Sequence, residues 1–77
     1  MKQFLIIYRR SVGVLELFED LGTDRAISSR RRLEAELAKA GDPDIEVVVL
    51  NAHSEENVRR THARYFFPAE QLLPVHT

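Results

Sequence analysis

The stretch that most constrains the fold runs from Ile45 to Phe67, where an aliphatic run passes through a short polar segment into a helix-like pattern. The run IEVVVL is apolar at both alternating parities apart from its glutamate, which is typical of a strand covered on both faces. Asp42-Pro43-Asp44 precedes it and favours a turn, because proline presets φ and aspartate hydrogen-bonds to nearby backbone. We therefore predict a strand from Ile45 to Leu50 that is central to the sheet or to an interface.

A helix is predicted from Glu55 to Phe66. Ser54 can cap its exposed amides, and the two glutamates that follow favour the positive end of the helix dipole. Pro68 should end the helix, since a residue before proline avoids helical ψ. The spacing of three and four predicts an apolar stripe on one side and arginines on the other. The stripe is Val58, Thr61, His62, Tyr65 and Phe66, and the arginines are Arg59, Arg60 and Arg64.

The first twenty residues predict a hairpin. The segment from Phe4 to Tyr8 is apolar at both parities, and residues 9–13 offer a turn that contains a glycine. The segment from Val14 to Asp20 fits a strand and also fits a helix. We prefer the strand, because it gives the first strand a neighbour on each side.

A longer helix is predicted from Arg25 to Ala40, with Thr23 as its cap and Gly41 as its stop. Its stripe comprises Ala26, Arg30, Leu33, Leu37 and Ala40. The outer face can form ion pairs between Arg32 and Glu36 and between Arg30 and Glu34, each worth a few tenths of a kcal/mol.

These elements predict one small α+β domain with ββαβα order over residues 1–67, followed by a tail over residues 68–77. Because a strand, helix, strand crossover is right-handed, the first strand should lie between the other two in a three-stranded, mainly antiparallel sheet. The first helix covers one face of the sheet. The second helix, the tail with Leu72, Leu73 and Val75, or another copy of the protein would cover the other face.

Size and composition narrow the function classes. A chain of 77 residues buries only about 60% of its unfolded surface, so its stability margin is thin. The chain has no cysteine, which excludes disulfides and zinc-thiolate sites and suits the cytoplasm. No apolar run is long enough for a membrane span or a secretory signal. We predict no cofactor, no metal site and no small-molecule substrate.

No catalytic motif is present, and we do not expect an enzyme. Asn51 and His53 follow a predicted strand, a common location for functional groups in α/β folds, but a turn or capping role is the preferred interpretation. The serines lack an elbow motif and a companion base. The carboxylates near Glu16 and Glu19 lack the apolar pocket that would separate their pKa values.

Two groups of arginines are the candidate binding residues, and they are Arg30, Arg31 and Arg32 in the first helix and Arg59, Arg60 and Arg64 in the second. The segment RRTHARYFF mixes arginines with aromatics, as proteins that bind single-stranded nucleic acids do. A nucleic-acid or ribosome-associated protein is therefore the alternative function. That alternative requires the two groups to form one continuous patch, free of pairing with neighbouring glutamates.

The leading interpretation is a non-catalytic protein-interaction or self-association module, and we expect a homodimer or a protein partner. The first and third strands are apolar on both faces, and little else is available to cover them. The third strand also leaves an open edge, with Glu46 as its only charged residue.

The run EVVVLNAHSEENVRRTHARYF, with the opening LIIYRR and the segment SRRRLEAEL, resembles a group of short actinobacterial proteins of unknown function. In that group a strand leads to an RRTHARYF-like helix. The resemblance covers most of residues 3–67 and implies a shared small α+β fold. It implies no activity, cofactor or partner, and no functional residue is carried over.

Overall fold

The computed structural model describes residues 1–66; residues 67–77, with the predicted tail, lie outside the described residues. The strands are β1 (Lys2–Arg9), β2 (Val14–Gly22) and β3 (Ile45–Ala52), and the helices are α1 (Arg25–Ala38) and α2 (Glu55–Thr61), followed by a 3-10 turn (Ala63–Tyr65). The predicted α+β fold with ββαβα order is confirmed. Each strand extends one or two residues beyond at least one predicted boundary.

The three strands form one antiparallel sheet in the order β2-β1-β3. The central residue Ile6 lies between Phe18 of β2 and Val48 of β3. The prediction that β1 is central is therefore confirmed, as is the choice of a strand for residues 14–20. The expectation that β3 is central to the sheet is wrong, because it lies at the edge. Its two apolar faces are explained instead by a helix packed on each face of the sheet. Gly13, in the turn between β1 and β2, has φ of 65°, a conformation that favours glycine.

The two faces of the sheet carry separate apolar clusters, because successive side chains of a strand point to opposite faces. Leu5 and Ile7 pack with Ala35 of α1 on one face. Phe4 and Ile6 pack with Val58 of α2 on the other, where the 3-10 turn adds Tyr65. The second helix and the turn after it thus cover the second face of the sheet. The sequence analysis had left this role open between the second helix, the tail and another copy of the protein.

Helix α1 begins at Arg25, as predicted, but its cap and its last residue differ from the prediction. Asp24, not Thr23, is the N-cap, and its carboxylate accepts hydrogen bonds from the amides of Ala26 at 2.8 Å and Ile27 at 3.3 Å. Aspartate and threonine both cap helices well, and the helix starts one residue later than a threonine cap requires. The helix ends at Ala38, two residues before the predicted Ala40.

The predicted stripe of α1 does not face the sheet, which is the larger correction. The buried residues of the helix are Ser28 and Ala35, whereas Leu33 and Leu37 of the predicted stripe are 57% and 68% exposed. Since each residue advances about 100° round a helix, these leucines lie about 200° from Ala35 and face away from the sheet. The small side chains of Ser28 and Ala35 let α1 lie close to the strands.

Helix α2 also ends earlier than predicted, at Thr61 rather than Phe66. His62 leaves helical geometry, with φ of −128° and ψ of 49°, and a 3-10 turn follows. Val58 and Tyr65 of the predicted stripe are buried, but Thr61 is exposed and its hydroxyl donates to the Asn57 carbonyl at 2.8 Å. The break turns the Tyr65 ring into the core.

Candidate interaction surface

The arginines of α1 are partly neutralised by glutamates. Arg31 donates two hydrogen bonds to the Glu19 carboxylate, at 2.7 and 3.2 Å, and contacts Glu34 at 2.7 Å. Arg32 pairs with Glu36 at 2.7 Å, as predicted. The predicted pair between Arg30 and Glu34 is not formed, because Arg31 takes that glutamate. Within residues 1–66, Arg30 has no ion pair.

The arginines after β3 are also paired. Arg59 and Arg60 contact the glutamates four residues earlier, Glu55 at 3.6 Å and Glu56 at 3.4 Å. Arg64 contacts Glu46 of β3 at 2.8 Å. Exposed ion pairs of this kind stabilise little, but they lower the positive potential that a phosphate backbone would meet.

The structure does not bring the two arginine groups together. Helix α1 covers the face of the sheet that carries Leu5 and Ile7, and α2 covers the face that carries Phe4 and Ile6. The groups therefore lie on opposite sides of the sheet and form no continuous patch within residues 1–66. The nucleic-acid alternative stays a prediction, without the geometry that it requires.

The aromatic rings near the second group contact arginines of the same chain. The guanidinium of Arg59 lies 4.6 Å from the ring centroid of Phe66, and that of Arg64 lies 4.1 Å from the centroid of Tyr65. Phe66 also packs edge to face on Phe18 of β2 at 5.2 Å. These rings belong to the core and its rim, so they offer no free platform for stacking bases.

Glu46 is the residue whose role the sequence analysis missed. We interpreted it as a charge that protects the edge of β3, but its carboxylate accepts a hydrogen bond from the Tyr65 hydroxyl at 2.6 Å and contacts Arg10 and Arg64. The hydrogen bond from Tyr65 holds the pKa of the Glu46 carboxyl below its ordinary value. Burial raises the pKa of Tyr65 to about 12. Alternate residues of a strand share a face, so Glu46 lies on the same face of β3 as Val48 and Leu50. This alternation is the sequence signal that could have placed Glu46 on the α2 side of the sheet.

This cluster is structural in its chemistry. Glu46 accepts hydrogen bonds from Tyr65 and Arg64 and forms an ion pair with Arg10, and these contacts favour its ionised form. Tyr65 is neutral at physiological pH, so neither group is poised to exchange a proton near pH 7. Among residues 1–66, no three His, Asp or Glu side chains are grouped to hold a metal ion. In the same part of the chain, no helix is long and apolar enough to cross a membrane.

The outward face of α1 is the most apolar surface of a helix in the described residues. The face is Ala26, Arg30, Leu33 and Leu37, and we call it the outer stripe. Its members are spaced by four, three and four residues, the spacing of a helix–helix seam. Ile27, beside the outer stripe, is 48% exposed. Leaving a leucine exposed forgoes about 1.5–3 kcal/mol of burial free energy, so a covering surface would stabilise this helix.

A second open surface is the outer edge of β3. This strand pairs with β1 on one side, and no strand of residues 1–66 pairs with the other. Open edges are templates for strand addition, and the only charged side chain of β3, Glu46, is already engaged on the α2 face.

Comparisons with known proteins assign no family to this chain. No protein-family model, no curated protein and no solved structure matches it. The resemblance to the actinobacterial group therefore stays a prediction, and any function must be argued from the surfaces described above.

Proposed function

We propose that this protein is a cytoplasmic, non-catalytic self-association module, and that its outer stripe pairs with the outer stripe of a second copy. The observation that carries the proposal is the orientation of α1, which turns its two leucines to solvent while smaller residues face the sheet. An exposed apolar seam on one helix is complementary to the same seam on a symmetry-related copy.

Charge favours an antiparallel pair of helices. Arg30 lies in the first half of α1, and Glu34 and Glu36 lie beside the outer stripe in the second half. A two-fold axis perpendicular to the helix places Arg30 of one copy near these glutamates of the other. A parallel pair would instead place the two Arg30 side chains together, where like charges repel.

Sedimentation equilibrium of the wild type and of Leu33→Glu with Leu37→Glu tests the proposal. At tens of micromolar we expect the wild type at about twice the chain mass of 8.9 kDa and the double variant at the chain mass. The change removes about 3–6 kcal/mol of leucine burial from each copy, or about 6–12 kcal/mol from the dimer, so it should raise the dissociation constant at least about 10⁴-fold. Neither leucine belongs to the core, so the double variant should fold normally.

Val12→Glu is the matched control, because it adds an acid at another exposed apolar residue, 64% exposed, in the β1–β2 turn. This variant should remain dimeric. A wild-type monomer at tens of micromolar would overturn self-association. A double variant that stays dimeric would overturn the outer stripe as the interface. Leu72→Asp with Leu73→Asp would then test the tail, and lysines on β3 would test its open edge.

A further inference from the structure

A polar cleft separates the first half of α1 from the end of the sheet, on the side of the helix that faces β3. Its volume is about 320 Å³. Gln3, Val49 and Asn51 form the floor, and α1 supplies the wall with Arg25, Ser28, Ser29 and Arg32. This volume is within the range of small-molecule sites.

The strand register builds the floor. Gln3 of β1 and Asn51 of β3 are direct cross-strand partners, so their two carboxamides lie side by side. Both share the face of Leu5 and Val49, the face that α1 covers. Residues 25, 28, 29 and 32 then recur at steps of three and four along the side of α1 above them.

The cleft holds more hydrogen-bond donors than its own chain uses. Within residues 1–66, the Arg25 guanidinium has no ion pair or hydrogen bond, and Arg32 donates only its Nε, to Glu36. The side chains of Ser29 and Asn51 have no hydrogen-bond partner there either. The buried Oε1 of Gln3 is likewise without a partner. This oxygen is enclosed, so it is not a contact point for a ligand in the cleft.

The charge of the cleft determines the class of ligand. Among the residues that the structure describes, two arginines line the cleft and no carboxylate does. The carboxylate of Asp24 at the start of α1 is occupied by the amides of Ala26 and Ile27, so the side chains rather than the helix amides define the site. Planar guanidinium groups bind phosphate and carboxylate oxygens in pairs, whereas a cation would be repelled.

We propose that this cleft binds a small oxyanion, a phosphate or carboxylate compound, through Arg25 and Arg32, with Ser29 and the Asn51 carboxamide contacting its polar groups. The sequence analysis predicted no small-molecule ligand, because residues 3, 25–32 and 49–51 come together only in the folded chain. The cleft does not include Leu33 or Leu37, so this proposal does not depend on self-association.

Titration of ¹⁵N-labelled protein with inorganic phosphate, pyrophosphate and succinate, each at constant ionic strength balanced with sodium chloride, tests the proposal by NMR. We expect saturable shifts of the Ser29 and Asn51 amides and of the arginine Nε–H signals of Arg25 and Arg32. A stronger response to the phosphates or to succinate identifies the oxyanion. In Arg25→Gln with Arg32→Gln the affinity should fall at least about tenfold for each lost guanidinium.

Arg60→Gln is the matched control, because it removes the same charge from an exposed arginine of α2, which covers the other face of the sheet, and it should bind like the wild type. Asn51→Leu removes a carboxamide from the floor of the cleft, and it should lower the affinity for the anion without changing either arginine. The proposal would be overturned by shifts that do not saturate, by equal shifts with chloride alone, or by unchanged binding in the arginine double variant. Binding of a single-stranded oligonucleotide with no response to the small anions would also overturn it.

Discussion

Replacement of Tyr65 by alanine should be among the most destabilising single changes in this protein. Its side chain is 5% exposed, packs edge to face on Tyr8 at a centroid distance of 5.0 Å, and donates its hydroxyl to Glu46 at 2.6 Å. Truncation of a buried aromatic residue to alanine costs about 3–5 kcal/mol, which includes lost burial and the cavity. A 77-residue domain has a total stability of roughly 4–12 kcal/mol, so this loss is a large part of it.

The stability lost in Tyr65→Ala can be divided between the packing of the ring and the hydrogen bond of its hydroxyl. Tyr65→Phe keeps the ring and removes only the hydroxyl, so it should cost about 1.5–3 kcal/mol, the range for a hydrogen bond to a charged group. In the Glu46→Gln background, Tyr65→Phe should cost less, because the charged acceptor is already gone. A double-mutant cycle between the two residues measures that coupling directly.

Thermal and urea denaturation followed by circular dichroism measures these differences. For a domain of this size a loss of 1 kcal/mol lowers Tm by about 4–8 °C, so Tyr65→Ala should lower it by at least about 12 °C. Val12→Ala, at an exposed turn residue, is the control and should leave Tm unchanged. A Tyr65→Ala variant that melts within a degree or two of wild type would remove this ring from the core. If Tyr65→Phe were as destabilising as Tyr65→Ala, the packing argument would be wrong.

Two further predictions concern a helix cap and pH. Asp24→Ala should cost about 1 kcal/mol because Asp24 caps α1, whereas Thr23→Ala should be nearly neutral; equal losses in urea denaturation would contradict the assigned cap. The pKa of Tyr65 is raised from 10.0 to about 12 in the folded protein. As pH rises, the tyrosine therefore loses its proton in the unfolded chain first. The free energy of unfolding should be constant below pH 10 with respect to this group and should fall between pH 10 and pH 12. Melting curves across that range should show the decline in wild type, and Tyr65→Phe should flatten it; an identical decline in both would refute the assignment.

Local patterns predicted the strands of this fold well. The apolar runs at residues 4–8 and 45–50 are strands, and the strand preference at residues 14–20 was correct although a helical spacing fitted it too. That choice used a tertiary argument, the need of β1 for two neighbours, rather than local periodicity. The start of α2 was also predicted, because Ser54 caps the Asn57 amide through a contact only three residues long.

The candidate surfaces were less predictable. The stripe of Ala26, Arg30, Leu33, Leu37 and Ala40 was identified from the sequence, but spacing alone does not say whether a stripe faces the core or solvent. Pairing of Arg31 with Glu19 across twelve residues, and of Lys39 with Glu16, holds the opposite side of α1 toward the sheet. Such contacts between distant residues carry no local signal.

The sequence by itself determined what depends on neighbours along the chain: the strand runs, the cap at Ser54, the glycine turn at residue 13, and the α+β order. Only the tertiary structure decided what depends on orientation between elements. It separated the two arginine groups onto opposite faces, turned Leu33 and Leu37 outward, and set Gln3 beside Asn51 beneath Arg25. The physical reason is that periodicity specifies which residues share a face of one element, whereas packing and long-range ion pairs select which face turns to the core.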